Sequence, residues 1–187
     1  MTPEALEGGF SDPAIAAAIV FRAVLDAMSR PGQIKQVSGA VPPAPLGRAA
    51  GAVALALCDH DTPIWLAPDL ATQDVRGWFA FHTGAPVVSR AHARFAFGSW
   101  GDMAPSTDFS IGTPEFPDRS ATLVIEVPEF GAAHRLTGPG IKDCMHLTVP
   151  DPEVFAAKSA LFPLGWDAIL TCDDGLAGLP RTTRVEV

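Results

Sequence analysis

The chain has 187 residues, 48% of them hydrophobic and only 18% charged, with a formal net charge of -8. That length suits one domain over 1–187, which buries roughly 70% of its unfolded surface, while the apolar content predicts surface covered by a partner, here a homodimer. So acidic a chain lacks the basic stripe that tracks phosphates, which argues against a nucleic-acid partner.

Three widely spaced cysteines, Cys58, Cys144 and Cys172, fit small core thiols in a reducing cytoplasm better than a disulfide or zinc framework. Glu4 and Glu7 stand where a basic leader would, and the apolar stretch from Ala14 to Val24 contains Arg22 and is too short to span a bilayer. A cytoplasmic protein with no membrane partner is expected.

Ser11-Asp12-Pro13 predicts a helix start, a capping side chain followed by proline at the first helical position. The helix runs to Met28 or Ser29. Ile15, Ala18, Ile19, Leu25 and Met28 form most of one apolar stripe, and Arg30-Pro31-Gly32 ends it. Gln33 to Val37 is a short strand, the prolines of 41–45 a stiff connector, and Leu46 to Cys58 an Ala-rich helix buried on most sides. Asp59 to Pro63 turns the chain into a strand, Ile64 to Ala67. A third helix, about Thr72 to Phe81, presents Val75, Trp78 and Phe79 to the core and closes at His82-Thr83-Gly84.

Short strands follow near Val87 and at Arg94 to Phe97, before a long irregular stretch from Gly101 to Ser120. Ala121 to Val127 is the clearest strand. Arg135 to Thr137 and His146 to Val149 form a hairpin around Gly138-Pro139-Gly140, and Glu153 to Leu161 is the last helix. Pro163 and Gly165 stop it, Trp166 to Cys172 is a strand, and Asp174-Gly175 turns the chain back. The second arm begins at Leu176, bends at Gly178 and Pro180, and ends in the basic Arg181-Thr182-Thr183-Arg184, expected on a sheet edge. Interleaved helices and strands predict an α/β fold, a three-layer sandwich around a mixed sheet that is antiparallel at least at its C-terminal edge.

No complete catalytic motif is present. Asp59-His60-Asp61 offers one imidazole and carboxylates without a second histidine at ligand spacing, so no metal is expected. Gly138 to Lys142 carries neither a Walker nor a dinucleotide pattern and reads as a plain turn. No serine or cysteine sits in a nucleophile elbow, and His82 and His134 read as polar turn residues. Arg22 is different, because a guanidinium on an apolar helix face needs an internal partner, an anionic ligand or solvent. The candidates for ligand or partner contact are Arg22, His82, Lys142, Arg181 and Arg184. For Arg181 the alternative is an internal clamp to an acidic loop.

Phe21 to Gly32 (FRAVLDAMSRPG) and Asp59 to Leu66 (DHDTPIWL), followed by FHTGAP at 81–86, GTPE at 112–115, ATL at 121–123, LTGPGI at 136–141, FPLG at 162–165 and LPRTT at 179–183, resemble, in order and over nearly the whole chain, the PhnH family. That family is the H subunit of the bacterial carbon-phosphorus lyase core complex. The resemblance implies a fold similar to the large domain of pyridoxal-phosphate-dependent transferases, without the cofactor. It also implies the G, I and J subunits as partners, and a structural or regulatory part in displacing adenine from ATP by an alkylphosphonate. No catalytic residue is carried over; the competing reading is a ligand-binding or catalytic protein with its own anionic site, built from Arg22, Lys142 and Arg181. The chain's lysines, Lys35, Lys142 and Lys158, are expected on a short strand, a turn and a polar helix face, poor perches for a Schiff base.

Overall fold

The computed structural model describes residues 6–186. Local chemistry starts its helices. At α1 (Pro13–Ser29) the Asp12 carboxylate accepts from the Ile15 amide at 3.3 Å, with proline in the first turn. Thr72 caps α3 (Gln73–His82) and Asp151 caps α5 (Pro152–Lys158) in the same way. The short α4 (Trp100–Met103) is capped by Ser99, whereas α2 (Arg48–Leu57) begins at Gly47, which has no capping side chain of its own.

The main sheet has six strands in the order β1 (Ile34–Gln36), β8 (Gly175–Leu179), β7 (Asp167–Cys172), β4 (Thr122–Glu126), β3 (Phe95–Ser99) and β2 (Ile64–Leu66). β2, β3, β4 and β7 run parallel. β8 and β1 are antiparallel to their neighbours, so the sheet is mixed, with its antiparallel part at one edge as expected. Alternate residues along each strand serve opposite faces. Phe97, Val124, Ile169 and Leu176 join one core with Val20 of α1, Val53 of α2 and Trp78 of α3. Leu123, Ile125, Leu170 and Leu179 join a second core with Phe155 of α5 and with Leu136 and Val185.

Those last two residues belong to a separate sheet of three antiparallel strands, in the order β6 (Met145–Leu147), β5 (His134–Thr137) and β9 (Arg184–Glu186). The result is a helical layer, a central mixed sheet, and a third layer shared by α5, the small sheet and the irregular segment from 104 to 121. The hairpin of 135–149 therefore does not extend the main sheet, and the basic tail ends as the edge strand β9.

Two sequence-based expectations need correction. The stripe on α1 does not face the core: Ile15, Ile19 and Leu25 are 61%, 62% and 53% exposed, and the buried residues of the helix are Val20, Val24 and Ala27. Nor does Gly178 bend the tail. It lies inside the fully buried β8, where an added Cβ would stand 2.6 Å from the Ala27 carbonyl oxygen. Small residues on both sides let α1 lie directly on β8, which is why Ala27, rather than the larger Ile15 or Ile19, marks the inward face.

Candidate functional site

The five residues singled out in the sequence lie on separate elements. Arg22 is exposed on α1 beside Ile15 and Ile19, lining a shallow groove with them, and has no ion-pair or hydrogen-bond partner among the described residues. Lys142 is exposed in the loop between β5 and β6, and Arg184 is exposed at the start of β9. The His82 ring packs on Trp78 and Phe81 and lies 3.2 Å from the Glu7 carbonyl, so it fastens the segment that leads into α1.

Arg181 takes the internal geometry. Its side chain, 14% exposed, meets the 20% exposed Asp167 carboxylate through both Nε at 3.2 Å and Nη2 at 2.6 Å. Nη2 also donates to Ser120 Oγ at 2.5 Å, and Nη1 to the Pro117 and Pro163 carbonyls at 2.7 and 3.3 Å. The Arg181 amide donates to the same carboxylate at 2.7 Å. This bidentate clamp ties the tail to the start of β7 and to the loop before β4, and leaves the guanidinium little capacity for a partner.

The other constellations are turns. Asp59 Oδ1 accepts from the Asp61 amide and the Thr62 hydroxyl, and the Thr62 bond foremost holds its carboxyl below the usual carboxylate range. Among the described residues no three His, Cys, Asp or Glu side chains converge as metal ligands. His134, expected in a turn, lies instead at the start of strand β5, where its Nδ1 accepts from the Val149 amide. Cys58 is buried, which pushes its thiol up to about 12, while Cys144 and Cys172 are half-buried.

In open α/β sheets, ligands bind at the carboxyl ends of parallel strands. Here that edge forms a crevice of about 410 Å³ lined by Asp69 after β2, Ser99 ending β3 and Asp102 after it, Glu126 ending β4, and Cys172 ending β7 with Asp173 after it. Its charged lining residues, Asp69, Asp102, Glu126 and Asp173, are all acidic, and Leu70 and Val127 stand among them. Where a phosphate would meet a helix N-terminus, the chain supplies its own carboxylates. The Glu126 carboxylate accepts from the Gly47 amide, giving α2 the cap it lacks, and desolvation raises the Glu126 carboxyl's affinity for its proton. Arg48 is bound through Nε and Nη2 to Asp174 at 2.7 and 2.8 Å. Ser99 and Asp102 complete each other at α4, with a hydroxyl to carboxylate bond of 2.7 Å.

Sequence reasoning missed this crevice because its carboxylates are scattered from 69 to 173 and only parallel pairing gathers them. It also misplaced Lys158. Far from a polar helix face, Lys158 is 3% exposed, its Nζ lying 4.7 and 4.5 Å from the ring centres of Phe155 and Trp166 and donating to the Leu179 carbonyl at 3.1 Å. Burial, opposed by the charge of Asp167 and aided by that of Arg181, lowers its amine to about 7. One of the sequence's arguments for a cofactor-free fold, the unsuitable setting of every lysine, therefore fails at this position. Arg90 was overlooked as well: it stacks on Trp65 at 4.7 Å and bonds the Asp102 carbonyl, pinning the irregular segment.

No helix among the described residues is long and apolar enough to cross a membrane. A relative from Rhizobium meliloti (strain 1021), the alpha-D-ribose 1-methylphosphonate 5-triphosphate synthase subunit PhnH, is 47% identical over 189 residues, covering 96% of this chain and 94% of its own length. A putative C-P lyase subunit protein HtxG from Stutzerimonas stutzeri is 42% identical over 84 residues, covering 41% of this chain and 43% of its own. The model of the bacterial phosphonate metabolism protein PhnH matches residues 8–186, and with that span and the near-complete relative the chain belongs to the PhnH family.

Proposed function

We propose that the chain is a non-catalytic assembly subunit of the cytoplasmic machinery that displaces adenine from ATP with an alkylphosphonate to give a ribose 1-phosphonate 5-triphosphate. In this reading it is a homodimer that works beside the G, I and J subunits of the carbon-phosphorus lyase core complex. Its kinship with a synthase subunit supports the pathway. The likeness to the pyridoxal-phosphate transferase large domain belongs to the same proposal and rests on the mixed sheet alone.

The observation that carries the assembly role is the outer face of α1. Ile15, Ile19, Phe21 and Leu25 are each between 46% and 62% exposed, more apolar surface than is usual for one helix that stays in water. Arg22 and Asp26 line the same groove, four residues apart. Such a face can meet its own copy: a two-fold axis across it sets apolar residues on apolar residues, with the unpaired guanidinium at the rim, since Asp26 is already held by Arg30 and Lys35 of its own chain. The acidic crevice supports the non-catalytic part. A triphosphate or phosphonate brought to it meets Asp69, Asp102, Glu126 and Asp173, and both helix N-termini there already hold carboxylates. An anionic site combining Arg22, Lys142 and Arg181 gains no support, since Arg181 is clamped internally and the Arg22 groove contains neither of the others.

Sedimentation of the pure chain and its copurification with coexpressed G, I and J subunits test the proposal together. A dimer that copurifies is expected. A strictly monomeric chain that leaves the partners behind would reject it.

A further inference from the structure

One buried functional group has no part in the assembly role. Lys158 is the only lysine drawn into the interior, and beside it lies a cavity of about 430 Å³, the size of a small-molecule site. Val154, Ala157, Lys158 and Leu161 recur at spacings of three and four along α5 and the turn of 3-10 helix that follows it, so one helical face lines the cavity. Phe109, Ile111 and Trp166 complete apolar walls, and the hydroxyl-bearing Ser106 and Thr107 stand among them.

We propose that this cavity binds a compact, neutral, apolar aldehyde, which Lys158 captures as a Schiff base. Among the described residues the amine's only hydrogen-bond acceptor is the Leu179 carbonyl, and no carboxylate oxygen among them lies within 4.0 Å of it. One lone pair is therefore uncommitted whenever the amine is neutral. Near pH 7 it is neutral in a large fraction of molecules, because burial holds it at about 7, and a desolvated amine in an apolar site is an activated nucleophile. Of the two rings beside Nζ, that of Trp166 also lines the cavity, 4.5 Å from the amine, so a flat apolar carbonyl compound can rest against it. An anion is disfavoured, since a single desolvated cation would have to neutralise it in apolar surroundings. In the reaction the nitrogen adds to the carbonyl carbon, a C=N bond replaces C=O, and the oxygen departs as water with the two amine hydrogens.

The test uses the full-length wild-type protein, benzaldehyde as the probe, and sodium cyanoborohydride to reduce any imine to a stable benzylamine. Peptide mapping at pH ~7.5 is expected to show Lys158 modified at least ~tenfold faster than Lys35 or Lys142, neither of which lines the cavity. Toluene, which has the shape but no carbonyl, is expected to slow modification of Lys158 several-fold and leave Lys142 unchanged. Lys158 unmodified, or modified no faster than Lys142, would overturn the proposal. So would rapid modification indifferent to toluene, because the amine would then react without the cavity. Neither result bears on dimerisation through α1.

Discussion

Arg181 and Lys158 are both basic side chains held mostly out of water, and opposite physics governs them. Arg181 has a bidentate carboxylate partner in Asp167 and further acceptors in Ser120, Pro117 and Pro163. Removing it strands a carboxylate that is only 20% exposed. Arg181→Ala is expected to lower stability by about 3 kcal/mol, the cost of breaking a largely buried pair, read as a shifted urea midpoint. The rank order should be wild type, then Arg181→Lys, then alanine, since an ammonium cannot reproduce the fork. Lys158 has no such partner. In the folded chain its amine titrates at about 7, against 10.5 for a free lysine. Between those values the unfolded chain binds a proton that the folded chain does not, so stability rises with pH across that window and is lost as pH falls toward 7. Compared with Lys158→Met, which cannot titrate there, the wild type should gain about 1.4 kcal/mol per pH unit between about pH 8 and 9. A pH-independent difference in urea melts of the two proteins would show that the amine stays charged inside the fold.

At the scale of elements, what could be read from the sequence was whatever is set locally. Asp12-Pro13, Thr72 and the Asp174-Gly175 turn fix their helix starts and hairpin through side-chain and backbone chemistry within a few residues, and α1, α3 and the pairing of β7 with β8 follow. Non-local choices were not legible. β5 pairs with β9 by matching Leu136 to Val185 across the whole C-terminal region, and nothing near either residue announces it. For α1 the difficulty was of another kind, because the helix is apolar on two sides. Periodicity finds a stripe but cannot say whether a core or another molecule covers it. The decision is made by contact with β8, where Gly178 and Ala27 approach so closely that larger residues do not fit. Gly178→Val is accordingly expected to push α1 outward and cost about 1 to 3 kcal/mol, as overpacking does. The conservative Gly178→Ala should also destabilise, because its Cβ alone would sit 2.6 Å from backbone. An alanine variant as stable as the wild type in thermal melts would mean that α1 is not held as tightly on β8 as described.

For the molecule as a whole, net charge and apolar content pull toward association of a particular kind. A charge of -8 keeps copies apart at long range, yet solvent screens it within about 8 Å at physiological salt, while apolar contact is indifferent to salt. If α1 meets a second copy of itself, the seam should be held chiefly by Ile15 and Ile19, with the Arg22 guanidinium at its rim. Burying one such isoleucine contributes about 1.5 to 3 kcal/mol, and the two-fold axis applies every substitution twice. A rim ion pair contributes about 0 to 1 kcal/mol. Ile19→Asp is therefore expected to convert the dimer to monomer in sedimentation, and its melting temperature should then fall only as far as the lost association accounts for, because Ile19 is 62% exposed in the single chain. Arg22→Ala should weaken the dimer slightly, and raising the salt several-fold should leave the wild-type dimer intact. The opposite pattern, a dimer that survives Ile19→Asp but dissociates in salt or on loss of Arg22, would place the interface on charged surface elsewhere, and the exposed face of α1 would then have to be assigned to another subunit.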